Sequence, residues 1–244
     1  GAGGDPVFAH IASGAVEQGE KMALLRRYSR HRTFAAGARD LAEVRPVYDS
    51  LEELTAAADD AITAAMGIAA APGQFTVLAL GRLGSREFDI ASDADLLFLR
   101  EERLDAHKAA RAAEQIVEAL AAYTRDGTVF AVDPRLRPRG GEGELVVTPA
   151  SLASYFASEA QAWEALTYTK VRFVAGSERL AERAIAEVEQ GSARFAEDPN
   201  FAAAVREMRG KLEKAESSEP GSFKTGPGGF YDIDFVASYL MVRN

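Results

Sequence analysis

Two short apolar runs, Phe75-Thr76-Val77-Leu78-Ala79-Leu80 and Leu96-Leu97-Phe98-Leu99, constrain this chain more than any other feature. Each is nearly continuous, the pattern of a strand covered on both faces, and so predicts a sheet with helices on either side. Gly84-Ser85 lies between the runs, and Asp93-Ala94-Asp95 leads into the second. Successive side chains of an extended strand point to opposite faces, so Asp93 and Asp95 project to one side and Ala94 to the other. Two carboxylates at close range raise each other's pKa and cannot be left desolvated without a partner. A divalent cation resolves that conflict, and magnesium suits it, being a hard ion that prefers oxygen ligands and keeps substrate phosphate and water in its shell. A small, flexible turn just ahead of the pair fits the phosphates of a metal-bound triphosphate.

An isolated Asp-x-Asp at a strand edge is more often a solvated turn than a metal site. The metal reading gains from a third carboxylate, Asp133, in Thr128-Val129-Phe130-Ala131-Val132-Asp133-Pro134-Arg135-Leu136-Arg137-Pro138. The β-branched and aromatic residues before it predict a strand that ends or runs along an edge where Pro134 removes a backbone donor. Arg135 and Arg137 lie two apart, so a continued extended geometry would put both on one face, ready for bidentate contact with phosphate. The plainer role for both is an ion pair with the acidic surface.

The chain has 244 residues, 47% of them hydrophobic, enough for a sizeable core in one or two domains. No apolar run approaches the roughly 20 residues that span a bilayer, and the first residues lack a basic region followed by an apolar signal core. A cytoplasmic location follows as the simplest expectation, with no membrane partner. The absence of cysteine excludes disulfides and thiolate metal sites. A net charge of −9 argues against general electrostatic attachment to nucleic acid, although Arg135, Arg137 and Arg139 could still line a local positive pocket.

Gly1-Ala2-Gly3-Gly4 reads as a cloning remnant or a flexible end. Residues 16–44 show helical spacing, with Leu24, Leu25, Tyr28, Phe34, Ala38 and Leu41 recurring and Pro46 closing the run. Ser50 reads as the start of a second helix reaching about residue 70. Residues 105–125 predict an amphipathic helix with Ile116, Leu120 and Tyr123 on its buried side, placed as a crossover between the second and third strands. After Arg139-Gly140-Gly141-Glu142-Gly143 and Leu145-Val146-Val147, Pro149 opens a stretch that reads as helix almost to Asn244, with 217–221 as its linker. The fold class is α+β, a mixed sheet flanked by helices. Its parts are an N-terminal helical segment (1–72), an α/β core (73–148) and a mainly helical subdomain (149–244), cut short at its C-terminal end. His10, His31 and His107 are scattered and have no ligand spacing.

Several ordered blocks resemble the glutamine synthetase adenylyltransferase/deadenylylase family of bacterial nitrogen control. Leu80-Gly81-Arg82-Leu83-Gly84-Ser85-Arg86-Glu87 with Ser92-Asp93-Ala94-Asp95-Leu96 is similar to its glycine-rich and Ser-Asp-x-Asp-Leu block, and Val132-Asp133-Pro134-Arg135-Leu136-Arg137-Pro138 to its Val-Asp-x-Arg-Leu-Arg-Pro block. Arg39-Asp40-Leu41, Trp163-Glu164, Lys170 and Arg172 before Gly176, Phe223-Lys224, and Gly228-Gly229-Phe230-Tyr231-Asp232-Ile233-Asp234-Phe235 also match. Departures are Ala94 for a bulkier aliphatic residue, Asp234 for glutamate, and Thr167-Tyr168 for Ala-Leu; none removes a proposed ligand.

The resemblance implies one nucleotidyltransferase unit of DNA polymerase β-like fold, with Asp93, Asp95 and Asp133 as catalytic, metal-binding carboxylates. It places Gly84 and Ser85 at the nucleotide phosphates and Arg135, Arg137 and Lys224 as compensating charges, with Mg2+ as cofactor and ATP as substrate. Asp133 would either accept the hydroxyl proton or hold the metal. Trp163 reads as a packing anchor, and Glu164, Arg172, Asp232 and Asp234 as structural ion pairs. The implied reaction moves AMP to a tyrosine of glutamine synthetase, with a PII-type signalling protein as a partner of the longer protein. The block from Asp232 and the helix 204–209 favour this adenylylating, C-terminal type of unit, whereas Lys170 favours the deadenylylating one. Other readings are phosphorolytic removal of AMP, a small hydroxylated acceptor, and a nucleotide-binding module without catalysis.

Overall fold

The computed structural model describes residues 4–215 and 222–244; residues 1–3 of the expected N-terminal remnant and the expected linker 217–221 lie outside them. The two apolar runs form β1 (Phe75–Ala79) and β2 (Ala94–Arg100), antiparallel, with Phe75 opposite Arg100 and Ala79 opposite Leu96. Their side chains divide between two cores, as strand alternation requires. Phe75, Val77, Ala79, Leu96 and Phe98 enter one, and Leu78, Leu80, Leu97 and Leu99 the other. The expectation of a sheet covered on both faces holds.

The first core is closed by α1 (Pro6–Ser13), α2 (Gln18–Ala42), α3 (Val47–Ile68) and α5 (Ala106–Ala121), which supply Phe8, Leu25, Ile62 and Ile116. The second is closed by α6 (Pro149–Ser158), α7 (Ala162–Tyr168), α8 (Glu178–Glu197) and α9 (Phe201–Ala215), through Phe156, Leu166, Leu180 and Phe201. Pro149 stands in the first turn of α6, where the sequence places a helix start, and Thr148 caps that helix in a reciprocal box with Ser151. A short helix, α4 (Gly81–Gly84), follows β1 directly, and α10 (Phe230–Arg243) ends the chain.

The mixed sheet described has five strands, in the order β3 (Val132–Asp133), β2, β1, β5 (Arg172–Gly176), with β4 (Val146–Val147) also on β2. After β2 the chain crosses over through α5 and returns as β3 (Val132–Asp133), parallel to β2. β4 (Val146–Val147) pairs in parallel further along β2, Phe98 opposite Val146. The third strand is shorter than the run 128–133 suggests, because Val129 and Phe130 donate their backbone N–H groups to Leu120 O at the end of α5.

Three further expectations are corrected. Arg172–Gly176 is a strand, β5, antiparallel to β1, inside the stretch read as helix. Ser50 does not start its helix; α3 begins after Pro46, and Ser50 is buried with its hydroxyl donating to Asp40. The helix expected over 16–44 holds as α2, although Phe34 and Leu41 of its recurring set are 75% and 92% exposed. Tyr123 lies beyond α5 and is exposed. No helix among the described residues is long and apolar enough to cross a membrane.

Candidate metal and nucleotide site

Strand register assembles the acidic cluster. The parallel pairing of β2 with β3 sets Asp95 beside Asp133, and Asp93 immediately precedes β2. Carboxylate oxygens of Asp93, Asp95 and Asp133 all lie within 4.8 Å of one another, with Asp93 exposed and the other two half-buried. Burial, then the charges of Asp93 and Asp133, push the Asp95 carboxyl up to about 7, against the opposing charges of Arg135 and Lys224. Asp133 goes the other way. Hydrogen bonds from Arg135, whose Nε donates to both carboxylate oxygens at 2.9 and 3.0 Å, hold it below its ordinary value despite burial.

The glycine turn lies against this cluster. Leu80 N donates to Asp95 O at 2.9 Å, closing β1 onto β2, and the chain then turns through Gly81 with φ of 53°. A Cβ on Gly81 would stand 2.0 Å from Asp95 Oδ2, and one on Gly84 2.0 Å from Lys170 O. Gly84 is thus buried against backbone, and Gly81, not among the residues expected at the phosphates, is the glycine that approaches a carboxylate. Its signal was present in the Gly81-x-x-Gly84 spacing. The Ser85 hydroxyl donates back into the turn, to Gly81 O and Arg82 O at 3.3 Å.

Arg135 and Arg137 do not share a face, because extended geometry stops at Asp133. Arg135 stays exposed and grips Asp133. Arg137 donates to Gly143 O (3.1 Å), Pro134 O (2.8 Å) and Gly141 O (3.0 Å), stapling the loop that follows β3. Lys224 reaches the neighbourhood from the loop before α10, with Nζ 5.7 Å above the Tyr231 ring.

Residues read as structural ion pairs bear that role out, with one exception. Arg172 grips Asp59 in a fork at 2.8 and 2.9 Å, Lys170 pairs with Asp234, and Arg209 with Asp232. Glu164 instead accepts from the Tyr155 hydroxyl at 2.7 Å and from Gln161 N at 2.9 Å, capping α7 from a buried position. Burial and that carboxylate push Tyr155 up to about 12. Trp163 is half-buried. Asp59 and Arg209 were not anticipated, since partners so distant in sequence leave no local signal.

The arrangement is an oxygen-donor cluster at the mouth of a glycine turn, flanked by two cations. A profile of the family glutamate-ammonia ligase adenylyltransferase matches residues 9–187. A bifunctional glutamine synthetase adenylyltransferase/adenylyl-removing enzyme of Chromobacterium violaceum is 32% identical over 96% of this chain and 27% of its own length. The enzyme of the same name from Rhizobium meliloti is 31% identical over 96% of the chain and 26% of its own length. That from Bradyrhizobium diazoefficiens is 35% identical over 70% and 18%. The chain therefore spans about a quarter of the length of the curated relatives it matches. Fold, ordered motifs and these likenesses agree: the chain belongs to the glutamate-ammonia ligase adenylyltransferase family.

Proposed function

We propose that this chain is a magnesium-dependent nucleotidyltransferase unit that moves AMP from ATP to a tyrosine hydroxyl of glutamine synthetase, in the cytoplasm. The observation that carries this reading is the convergence of Asp93, Asp95 and Asp133 within 4.8 Å beside a turn kept bare by Gly81. The donor set fits magnesium: all three groups are hard oxygen donors, and burial followed by the charges of Asp93 and Asp133 raises the pKa of Asp95, a strain on the charged form that a cation relieves. Asp93, Asp95 and Asp133 would hold the ion, which when bound supplies charge neutralisation at the phosphate oxygens and at the attacking and departing oxygens.

The chain's own residues supply positioning and electrostatics. Gly81 lets the turn lie close to the Asp95 carboxylate and Gly84 lets it pack on the backbone of Lys170, with Ser85 at its end for the phosphates. Lys224 and Arg135 bring positive charge to the triphosphate, Arg135 by exchanging its grip on Asp133 for phosphate oxygen. Arg137 acts one step back, fixing the loop that follows Asp133. Once Arg135 has let go, the Asp133 carboxylate is free to hold the metal or to accept the hydroxyl proton.

The relatives' name joins adenylyl transfer with adenylyl removal, so phosphorolytic release of AMP from modified glutamine synthetase is the second reading. Incubation of the chain with magnesium, labelled ATP and unmodified glutamine synthetase separates them. Label on the acceptor supports the proposal; phosphate-dependent AMP release from modified enzyme, without transfer, reverses the direction. Nucleotide binding with neither activity would leave a binding module. A PII-type protein would act through regions of the longer protein.

A further inference from the structure

The loop that carries Lys224 is held by a buried cation on a neighbouring helix. Arg209, on α9, is 8% exposed, and its Nη2 donates to Thr225 O at 2.8 Å and Gly226 O at 3.1 Å. Its Nε donates to Asp232 Oδ1 at 2.6 Å, while Asp232 Oδ2 accepts from Gly228 N. Its Nη1, without a hydrogen bond, lies 3.6 Å from Glu213. The loop is also closed by Phe230 N donating to Phe223 O at 2.9 Å and Tyr231 N to Lys224 O at 3.0 Å, so the backbone on both sides of Lys224 is fixed.

The same assembly is tied to the glycine turn. Lys170 grips Asp234 on α10 with its ammonium, and its carbonyl oxygen fills the space that a Cβ on Gly84 would take. Lys224 itself remains exposed, and its charge is felt at Asp95. A guanidinium is expensive to bury unless its donors are used, and its rigid fork serves the carboxylate from Nε and the two carbonyls from Nη2, a spread that the single nitrogen of an ammonium does not span.

We propose that Arg209 is a positioning residue of the nucleotide site, gripping Thr225, Gly226 and Asp232 so that Lys224 is held beside the Asp93–Asp95–Asp133 cluster to meet the triphosphate. This rests on the reading above that Lys224 meets phosphate. A lysine on an untethered loop would have to be ordered anew at each binding event, and that entropy would be lost from affinity.

The test is a double-mutant cycle on binding of ATP with magnesium, measured by titration calorimetry with the thermal midpoint followed in parallel. Lys224→Ala and Arg209→Gln each weaken binding by about tenfold, the usual scale for residues that orient a binding group. The double variant binds no more weakly than Lys224→Ala alone, although Arg209→Gln lowers the thermal midpoint in both backgrounds. Arg209→Lys, which keeps the charge and loses the fork, falls with Arg209→Gln. Additive losses, or unchanged affinity in Arg209→Gln, overturn the assignment while leaving Lys224 at the phosphates. Unchanged affinity in Lys224→Ala removes the phosphate reading itself, and the assignment with it. Should Arg209→Gln fail to fold, Asp232→Asn, at a carboxylate 39% exposed, takes its place in the cycle with the same outcomes.

Discussion

A methyl group on Gly81 would stand 2.0 Å from Oδ2 of Asp95, so the bareness of one residue sets where the carboxylate of the other can lie. Gly81 also has φ of 53°, which L side chains rarely adopt. Gly81→Ala therefore does two separable things. The backbone conformation costs about 1 kcal/mol of stability, and the carboxylate must leave its position, weakening magnesium-dependent ATP binding by about tenfold or more. Calorimetric affinity and urea unfolding measure the two. Lowered stability with unchanged affinity would remove Gly81 from the site.

Asp95 gives the chain a pH dependence with a defined sign. Its ordinary value is 3.8, and in the folded chain it rises to about 7. Between those values the native state keeps a proton that the unfolded state has lost, so in chelator-treated protein this group lowers stability as pH rises from about 4 to 7. The slope is at most about 1.4 kcal/mol per pH unit and flattens above 7. Asp95→Asn cannot titrate and lacks this contribution. Its thermal midpoint therefore gains on that of the unmodified chain through this window. Parallel profiles from pH 5 to 8 would contradict the assigned burial and repulsion.

The parts of the fold that could be read from sequence are those whose cause is local. Phe75–Ala79 and the run from Leu96 are apolar without alternation because helices cover both faces, and the α5 crossover follows from helical spacing between two strands. β5 escaped because Arg172-Phe173-Val174 is half-buried at the sheet's edge and lacks that apolar continuity. Phe34 and Leu41 have helical spacing but little cover, and periodicity describes a helix's own face, not whether anything packs on it. In the site, Asp93 and Asp95 follow from strand alternation. The proximity of Asp133 depends on the parallel register with β2, and the divergence of Arg135 and Arg137 on where β3 stops.

Arg135 competes with a cation for Asp133, since its guanidinium occupies both carboxylate oxygens. Arg135→Ala releases that carboxylate and lets its pKa return toward the ordinary range, while the cluster becomes more negative. Magnesium alone should then bind about three- to tenfold more tightly, whereas ATP in the presence of magnesium binds more weakly for want of the phosphate contact. Titrations with and without nucleotide distinguish these opposite signs. Weaker binding of magnesium alone would show that Arg135 orders Asp133 as a ligand instead of competing for it.

Arg172 and Asp59 fasten the far side of the glycine turn. The side chains are 18% and 21% exposed; besides the fork to Asp59, Arg172 donates to Leu83 O at 2.9 Å and Gly84 O at 3.3 Å, the last carbonyls of α4. Removing one member of a partly buried pair leaves an uncompensated charge, which costs about 3 kcal/mol. The two losses should be unequal. Asp59→Ala leaves the guanidinium with three carbonyl acceptors, at Leu83, Gly84 and Phe173, while Arg172→Ala orphans those acceptors and the Asp59 carboxylate together, so Arg172→Ala is the more destabilising in urea unfolding. The double variant loses less than the sum, by about 1 kcal/mol or more, because the pair is lost only once. Equal single effects that add would reduce the fork to a surface contact and assign the hold on α4 to packing by Leu83, which is fully buried.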